Sequence, residues 1–329
     1  MRALRLHDDA DSRAQLTDAS ESDLPAGDVL IDVAYSSLNY KDGLAVTGKG
    51  KIVRGGYPFV PGIDLVGTVA ESESEKWKAG DRVILTGWGT GEDRWGGYAE
   101  RARARAEHLV ALPDGLSMRQ AMAFGTAGFT AMLSVMALEA ASVRPGEGPV
   151  AVTGASGGVG SLAVAILAAL DYEVAAVTGT ESAHDYLRGL GAQEILPRTE
   201  LSEPGPPLGK GRWAGAVDSV GAATLANLLA TTKRHGAIAA CGLAGGPELN
   251  ATVYPFILRG VALLGIDSNT CPPARRARAW ERLASTVDAE ILDGLTTTIA
   301  LGDVPEWAEK IVRGDTQGRV VVEVSGDAA

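Results

Sequence analysis

Cysteine is scarce. Cys241 and Cys271 are the two in 329 residues, and neither belongs to a Cys-x-x-Cys pair. That excludes a disulfide scaffold and a zinc knuckle and fits a reducing compartment. Basic charge is short too. Lys and Arg number 30 against 41 Asp and Glu, a net charge of −11, and no basic run compensates. Duplex binders need a cationic surplus to displace counterions, so no nucleic-acid partner is expected. Long apolar runs are missing: the longest, residues 162–170, has nine residues, against roughly 20 for a bilayer span. The first residues hold no signal-like apolar stretch. A cytoplasmic protein with no membrane partner is expected.

The remainder is an ordinary globular balance, 46% hydrophobic and 22% charged. A chain of this length suits two domains that bury about 75% of their unfolded surface without covalent staples. The 42 glycines cluster between apolar runs, without a collagen period.

Residues 1–115 read as strands and loops. Candidate strands fall at 29–35, 63–69 and 80–85, with a Pro-rich loop at 57–62 and a Gly-rich loop at 86–97 carrying Trp88 and Trp95. No long helical period precedes residue 117, which predicts an antiparallel β-rich domain. Ser117 and Gln120 then resemble a capping box, and a helical period runs towards Ala140 with Gly125 and Gly128 as candidate breaks. Beyond it, strands at 150–153, 173–177, 214–220, 237–241 and 261–267 alternate with helices at 158–170, 182–190 and 224–231. This rhythm predicts a parallel sheet with right-handed crossovers. Gly191 is expected to close the helix at 182–190, and residues 202–211 form a surface loop. Helices near 273–286 and 304–313 and a strand at 318–324 finish the chain, the strand returning to the first domain.

The strand at 150–153 runs into Gly154-Ala155-Ser156-Gly157-Gly158-Val159-Gly160 and then an apolar helix. A dinucleotide-binding G-x-G-x-x-G sits at such a junction, and here Ala155 takes the first glycine's place. Gly157 lets the backbone approach a diphosphate, and Gly160 lets the helix pack close to the sheet. The helix N-terminus offers free N–H groups and positive dipole. Ala155, Ser156, Gly157, Gly158 and Val159 are therefore candidate cofactor contacts; the plainer alternative is a tight turn without ligand. The second strand ends in Thr178-Gly179-Thr180, with no acid to hold a ribose 2′-OH. That favours a 2′-phosphate, with Thr178, Ser182 and Arg198 as its candidate partners, although Arg198 also suits a solvated loop. Gly242, Leu243, Ile266, Asp267 and Ser268 follow or end parallel strands, beyond whose carboxyl ends such ligands sit.

Several stretches carry a resemblance. They are Asn39-Tyr40-Lys41-Asp42, Pro61-Gly62-Ile63-Asp64, Thr86-Gly87-Trp88-Gly89, Gly125-Thr126-Ala127-Gly128-Phe129-Thr130, the glycine loop, and Pro255-Phe256-Ile257-Leu258. Together the chain resembles the zinc-free quinone-oxidoreductase branch of the medium-chain dehydrogenase/reductases, most of all its acrylyl-CoA reductase group. The resemblance implies an α/β fold, a GroES-like β-rich domain at 1–123 and 262–329 around a Rossmann doubly wound parallel-sheet domain at 124–261. It implies NADPH as cofactor, reduction of the C=C bond of acrylyl-CoA to propionyl-CoA, an acyl-CoA substrate and a homodimer. The group often carries a basic residue at the position of Thr180; threonine there leaves the 2′-phosphate to Arg198 and the hydroxyls.

Zinc-dependent relatives place a Cys and a His-Glu pair where this chain has Leu38-Asn39-Tyr40 and Gly62-Ile63-Asp64. Catalytic zinc needs three such ligands. No Cys precedes residue 241, and His7 and His108 lie outside these stretches, so no metal is expected. His184 and His235 likewise share no motif, and surface or cap roles are expected of all four histidines.

Without metal, hydrogen bonds must activate the substrate, since negative charge builds on the thioester oxygen. Asn39 is a candidate to polarise the carbonyl. Tyr40 is a candidate to donate a hydrogen bond or proton and to contact the cofactor, and Asp42 to orient either one or the cofactor ribose. The plainer reading is an Asn/Asp pair fixing a turn. Arg319 is expected to pair with Asp42 or a phosphate, or to close the β domain, and Asp64 to order the site. Thr126 and Thr130 bracket the entry to the cofactor domain, with Thr126 towards the nicotinamide ribose. Cys241 reads as strand core and Cys271 as a loop thiol. Lys49, Lys51, Arg54 and Arg101 are candidates for the CoA 3′-phosphate. A quinone reductase on the same fold and a non-catalytic NADPH-binding sensor or structural protein remain as alternatives.

Overall fold

The computed structural model describes residues 1–9 and 13–325. In chain order the elements are β1 (Arg2–Leu6), β2 (Ala14–Asp18), β3 (Val29–Leu38), α1 (Tyr40–Thr47), β4 (Asp64–Ser72), β5 (Arg82–Thr86), β6 (Arg101–Ala104), β7 (Val110–Ala111) and α2 (Met118–Ala140). There follow β8 (Val150–Thr153), α3 (Gly158–Ala169), β9 (Val174–Thr178), α4 (His184–Gly189), β10 (Glu194–Pro197), α5 (Thr199–Ser202), β11 (Trp213–Asp218), α6 (Ala222–Thr231) and β12 (Thr232–Ala240). The last are α7 (Tyr254–Arg259), β13 (Ala262–Gly265), α8 (Pro273–Thr286), α9 (Ala289–Gly294), β14 (Thr296–Ala300), α10 (Val304–Arg313) and β15 (Arg319–Glu323). The chain divides into two compact units, one of residues 1–126, 269–284 and 292–329, the other of 127–268 and 285–291.

The first unit is built on a seven-stranded mixed sheet ordered β14-β15-β3-β4-β5-β7, with β6 also on β3. β15 pairs antiparallel with β3, so the late strand sits inside the sheet. Nearly every residue of β3 is buried, because two apolar clusters lie against it. Val29, Ile31 and Val33 enter one and Leu38 the other. Ser117 and Gln120 form the expected reciprocal cap at the start of α2, Gln120 N–H to Ser117 Oγ at 3.2 Å and Ser117 N–H to Gln120 Oε1 at 3.1 Å.

Two expectations change here. Residues 40–42, expected on a loop, open the helix α1. Its eight residues include Gly43 and β-branched Val46 and Thr47, a poor intrinsic helix. Packing supplies the difference: a Cβ at Gly43 would lie 2.6 Å from Ile311 Cγ2 of α10, so the two helices meet closely only with glycine there. Of the two candidate breaks in α2, Gly125 alone departs from helical geometry, at φ 50° and ψ −154°. α2 is long and apolar enough to cross a membrane by length and composition, but it is mostly buried.

The second unit holds a six-stranded sheet ordered β10-β9-β8-β11-β12-β13, every neighbouring pair parallel. Order reverses between β8 and β11, the switch point where doubly wound sheets bind ligands. α3 is buried on nearly every side from Gly160 to Leu167, as an all-apolar helix must be. Cys241, read as strand core, lies just past the end of β12 and is half-buried. There burial pushes its thiol up to about 12, a protonated and unreactive state at neutral pH.

Candidate active site

In the first unit the ends of β3, β4 and β15 and the Gly125 break within α2 bring one buried polar cluster together. Strand alternation puts Ser37 and Asn39 on one face. Asn39 Nδ2 lies 2.9 Å from Asp64 Oδ2, 3.1 Å from Asp42 Oδ2 and 3.1 Å from Ser37 Oγ. Ser37 Oγ donates to Asp64 Oδ2 at 2.5 Å, and Thr126 gives Asp64 its N–H at 2.8 Å and its hydroxyl at 2.5 Å. Asp42 accepts the N–H groups of Asn39 and Ile63, both at 2.9 Å, and so ties the start of α1 to the loop before β4. Arg319 donates to Asn39 Oδ1 at 3.2 Å and to Ala123 O at 2.8 Å. Tyr98 closes the cluster through a hydrogen bond to Ser37 O at 3.1 Å. Burial and the neighbouring Asp42 and Asp64 hold its phenol well above the ordinary range.

The expected set is thus partly assembled and partly re-assigned. Asn39, Asp42, Asp64 and Arg319 meet, and Thr126 joins them through Asp64. The Asn39 amide, expected on the substrate carbonyl, spends its oxygen on Arg319 and its hydrogens on the cluster. Tyr40 stands apart, its side chain 54% exposed. Sequence reasoning did not single out Ser37 or Tyr98. A small polar residue two positions before Asn39 on a buried strand end is the signal that finds Ser37; Tyr98 leaves none, since its partner is a backbone carbonyl 61 residues away.

Burial, and next the charge of Asp64, raise Asp42 from 3.8 to about 7, against the pull of the Asn39 and Ile63 donors. The folded pKa exceeds the unfolded one, so the native state keeps a proton that the unfolded chain gives up. Asp42 therefore withdraws stability as pH rises from 3.8 to about 7, with no further loss above. Asp42→Asn should remove this contribution, leaving the variant's stability curve rising more, or falling less, across that window than the wild type's. Urea unfolding at half-unit pH steps measures the difference; parallel curves would show that Asp42 holds no such proton.

In the second unit the glycine loop joins β8 to α3 as expected. Gly154 has φ +59°, and a Cβ at Gly160 would lie 2.2 Å from Gly154 O and 2.6 Å from Ala155 Cα, so no other residue lets α3 start there. A Cβ at Gly157 would meet only Gly154 O, at 3.3 Å, within 4 Å. The N–H groups of Gly158, Val159 and Gly160 open the helix without intrahelical acceptors. This cradle fits a dinucleotide diphosphate. Beside it, Ser156 Oγ and Thr178 Oγ1 are 3.2 Å apart, and Arg198 N–H donates to Thr178 O at 2.9 Å. The Arg198 side chain lies over Gly179, where a Cβ would come within 2.6 Å of Nε. Two hydroxyls and a guanidinium thus meet at the tip of β9, the residue set that a ribose phosphate requires. Ser182 is exposed on the short turn that follows.

Gly242 and Leu243 follow β12, and Ile266, Asp267 and Ser268 follow β13, all at the carboxyl end of the sheet. Thr130 is buried within α2, its carbonyl accepting Ser134 Oγ at 2.8 Å. Asp218, which the sequence did not single out, is buried at the end of β11. It takes the Thr153 hydroxyl at 2.6 Å and the Gly221 N–H at 2.9 Å, which ties the two strands that flank the switch point; burial raises its pKa.

The residues do not fit a zinc ion. Among the described residues no group of three or more His, Cys, Asp or Glu side chains could hold one, and Asp64 is already committed to Ser37, Asn39 and Thr126.

Family models agree with both units. An alcohol dehydrogenase GroES-like domain matches residues 25–114, and a zinc-binding dehydrogenase domain matches 158–285. The chain is 54% identical to the acrylyl-CoA reductase AcuI of Ruegeria pomeroyi over 315 residues, 95% of each chain. It superposes on the yhdH oxidoreductase of Salmonella enterica, solved in complex with NADP, with TM-score 0.97 and 55% identity, covering 99% of this chain and 100% of the other. It superposes on Bacillus subtilis yhfP, solved with NAD bound, with TM-score 0.94 and 46% identity over 98% of both chains. The chain therefore belongs to the medium-chain dehydrogenase/reductases, in their acrylyl-CoA reductase group.

Proposed function

We propose that this protein is an NADPH-dependent reductase of the C=C bond of acrylyl-CoA, yielding propionyl-CoA. The observation that carries the reading is the 54% identity to an acrylyl-CoA reductase across 95% of both chains. The β9 tip supports NADPH over NADH: it bears Thr178, Gly179 and Thr180 where an NAD site carries an acid, with Arg198 beside them.

The glycine loop, Ala155 to Val159, would hold NADPH, which when bound would supply the hydride for the β carbon of the thioester. The chain's own residues orient the substrate, stabilise its oxygen and supply the proton. Asn39, Asp42, Asp64 and Arg319 act as positioning residues that fix the first turn of α1. Tyr40, the most exposed member of the motif, donates its phenolic proton towards the substrate. Zinc has no part in this scheme. In Tyr40→Phe, kcat should fall about 100-fold, the usual size of a lost general acid, while the NADPH Kd measured by fluorescence stays within about twofold. An unchanged kcat would remove Tyr40 from the chemistry.

Leu243, Val253, Tyr254, Ile257 and Leu258 are exposed, and β13 is an edge strand of its sheet. Exposed large apolar side chains and an unpaired sheet edge are features that a subunit interface covers, and they support a homodimer. Light scattering at twice the 33.9 kDa chain mass is the expected result. A cytoplasmic location and the lack of nucleic-acid or membrane partners complete the proposal, on the acidic composition described above.

Consumption of NADPH with acrylyl-CoA, crotonyl-CoA and a simple quinone tests the reaction. Rapid loss with acrylyl-CoA is expected. Loss with the quinone alone would move the activity to quinone reduction, and NADPH binding without any consumption would leave a non-catalytic protein.

A further inference from the structure

Four basic residues were candidates for the phosphates of CoA, and their ion pairing separates them. Lys49 is matched one to one by Glu309 at 2.7 Å. Arg101 meets two acids, Glu21 at 2.6 Å and Asp32 at 2.9 Å, and Arg103 reaches Glu21 at 3.7 Å, so two cations and two anions balance there. Lys51 is exposed and belongs to no ion pair among the described residues. Arg54 differs. It shares one carboxylate, Glu92, with a second cation, Lys41 of the Asn39–Asp42 motif. Lys41 Nζ lies 3.0 Å from Glu92 Oε1 and Arg54 Nη2 lies 2.9 Å from Oε2.

The arrangement is built rather than incidental. The Glu92 side chain is only 10% exposed, while those of Lys41 and Arg54 are 40% and 59% exposed. A buried anion thus anchors two cations that face solvent. The backbone fixes the same pair of segments, since Glu92 O accepts Arg54 N–H at 2.6 Å. Gly55 permits that approach: a Cβ there would lie 2.7 Å from Asp93 O. Two cations on one carboxylate leave one positive charge over, on a chain whose net charge is −11. Lys41 directly follows Tyr40, so the surplus sits on the flank of the proposed proton donor.

We propose that Lys41 and Arg54, held by Glu92, form the subsite for the phosphates of the acyl-CoA, an assignment that rests on the thioester-reduction reading. The glycine loop and the β9 tip already provide for both phosphate positions of NADPH. The substrate's own phosphates need a cationic place elsewhere. The pantetheine arm is long enough to carry them from the reacting carbons to a neighbouring surface. A guanidinium and an ammonium already oriented by a fixed carboxylate accept a third, anionic partner without losing much side-chain freedom.

The test compares wild type, Lys41→Gln and Arg54→Gln on acrylyl-CoA, acrylyl-dephospho-CoA and acrylyl-pantetheine. The preference for acrylyl-CoA over acrylyl-pantetheine, read as kcat/KM, is expected to drop about tenfold in each variant, mainly through KM, in line with loss of one charge-assisted contact. Lys41→Arg, which keeps the charge, should retain it. The dephospho substrate shows which phosphate is held. Free CoA, titrated calorimetrically, should bind wild type more tightly than either variant, and this arm needs no turnover. If wild type reduces acrylyl-CoA and both variants keep the full preference, the subsite is wrong and the reduction reading stands. If wild type reduces no thioester, that reading falls, and equal CoA binding by wild type and variants would then remove the subsite as well. A selective rise in NADPH Kd would reassign the cations to the dinucleotide and overturn the proposal.

Discussion

Arg319→Ala is expected to abolish measurable turnover and to lower unfolding stability by about 3–5 kcal/mol, the usual cost of removing one partner from a buried charged network. Arg319 is 2% exposed and supplies the positive charge of a cluster that buries both Asp42 and Asp64. Its loss leaves Asn39 Oδ1 and Ala123 O without their donor and the carboxylates without a compensating charge. Losing a nearby positive charge favours the protonated form of Asp42, which burial already raises to about 7. The stability deficit should accordingly be smaller at pH 5 than at pH 8. Arg319→Lys should recover little, since one ammonium cannot reach Asn39 and Ala123 from two separate nitrogens. Denaturant unfolding at both pH values, with kcat/KM on acrylyl-CoA, reads all of this. A loss under about 1 kcal/mol would mean that the guanidinium is not part of the buried network.

Gly125→Ala should be nearly as damaging, by a different route. At φ 50° and ψ −154° the backbone occupies a region close to that reserved for glycine, which costs other residues about 1–3 kcal/mol. An added Cβ would also lie 2.6 Å from Asp64 Oδ2 and 2.9 Å from both Arg319 Nη2 and Ser37 Oγ. It would push apart the acid, the base and the hydroxyl that hold Asn39. A stability loss of about 2–4 kcal/mol should accompany a fall in kcat/KM of at least about 100-fold. Gly189→Ala is the control: a Cβ there meets nothing within 4 Å, so its stability should change by no more than about 1 kcal/mol, upwards if at all. Equal behaviour of the two variants would show that Gly125 is not required by its geometry.

The dinucleotide half was legible because its information is local. A four-residue apolar strand, a glycine loop and an apolar helix stand within 20 residues, and α3 begins at Gly158 as the pattern demands. The first unit was legible in outline only. Its helix α1 escaped because Gly43, Val46 and Thr47 argue against a helix, and what decides the matter is α10, whose Ile311 presses on Gly43. The buried polar cluster is legible where the spacing is short, as from Asn39 to Asp42. It was read as a set of hands reaching for substrate, whereas the structure turns most of those hands on one another. Which side chain stays free, here Tyr40, depends on helix orientation and burial that no spacing along the chain records. Gly125 was flagged as a helix break, but its reason, the closeness of Asp64 and Arg319, is a contact between distant segments.

The position of β15 has a consequence for how the protein comes into being on the ribosome. Residues 127–268 form most of a parallel-sheet unit from one continuous stretch and can close soon after they emerge. The first unit cannot. Its sheet lacks β14 and β15, and its buried cluster lacks Arg319, until a partner 280 residues downstream of Asn39 has been made. Until then the end of β3 from Tyr35 to Leu38 lacks its β15 partner, an unpaired stretch of the kind that recruits other chains, and Asp42 and Asp64 wait without the guanidinium. Synthesis that stops before Arg319 therefore yields a chain with a complete parallel sheet and an unassembled buried polar cluster. The late strand acts as a checkpoint: the cluster around Asn39 closes only after Arg319 has been translated.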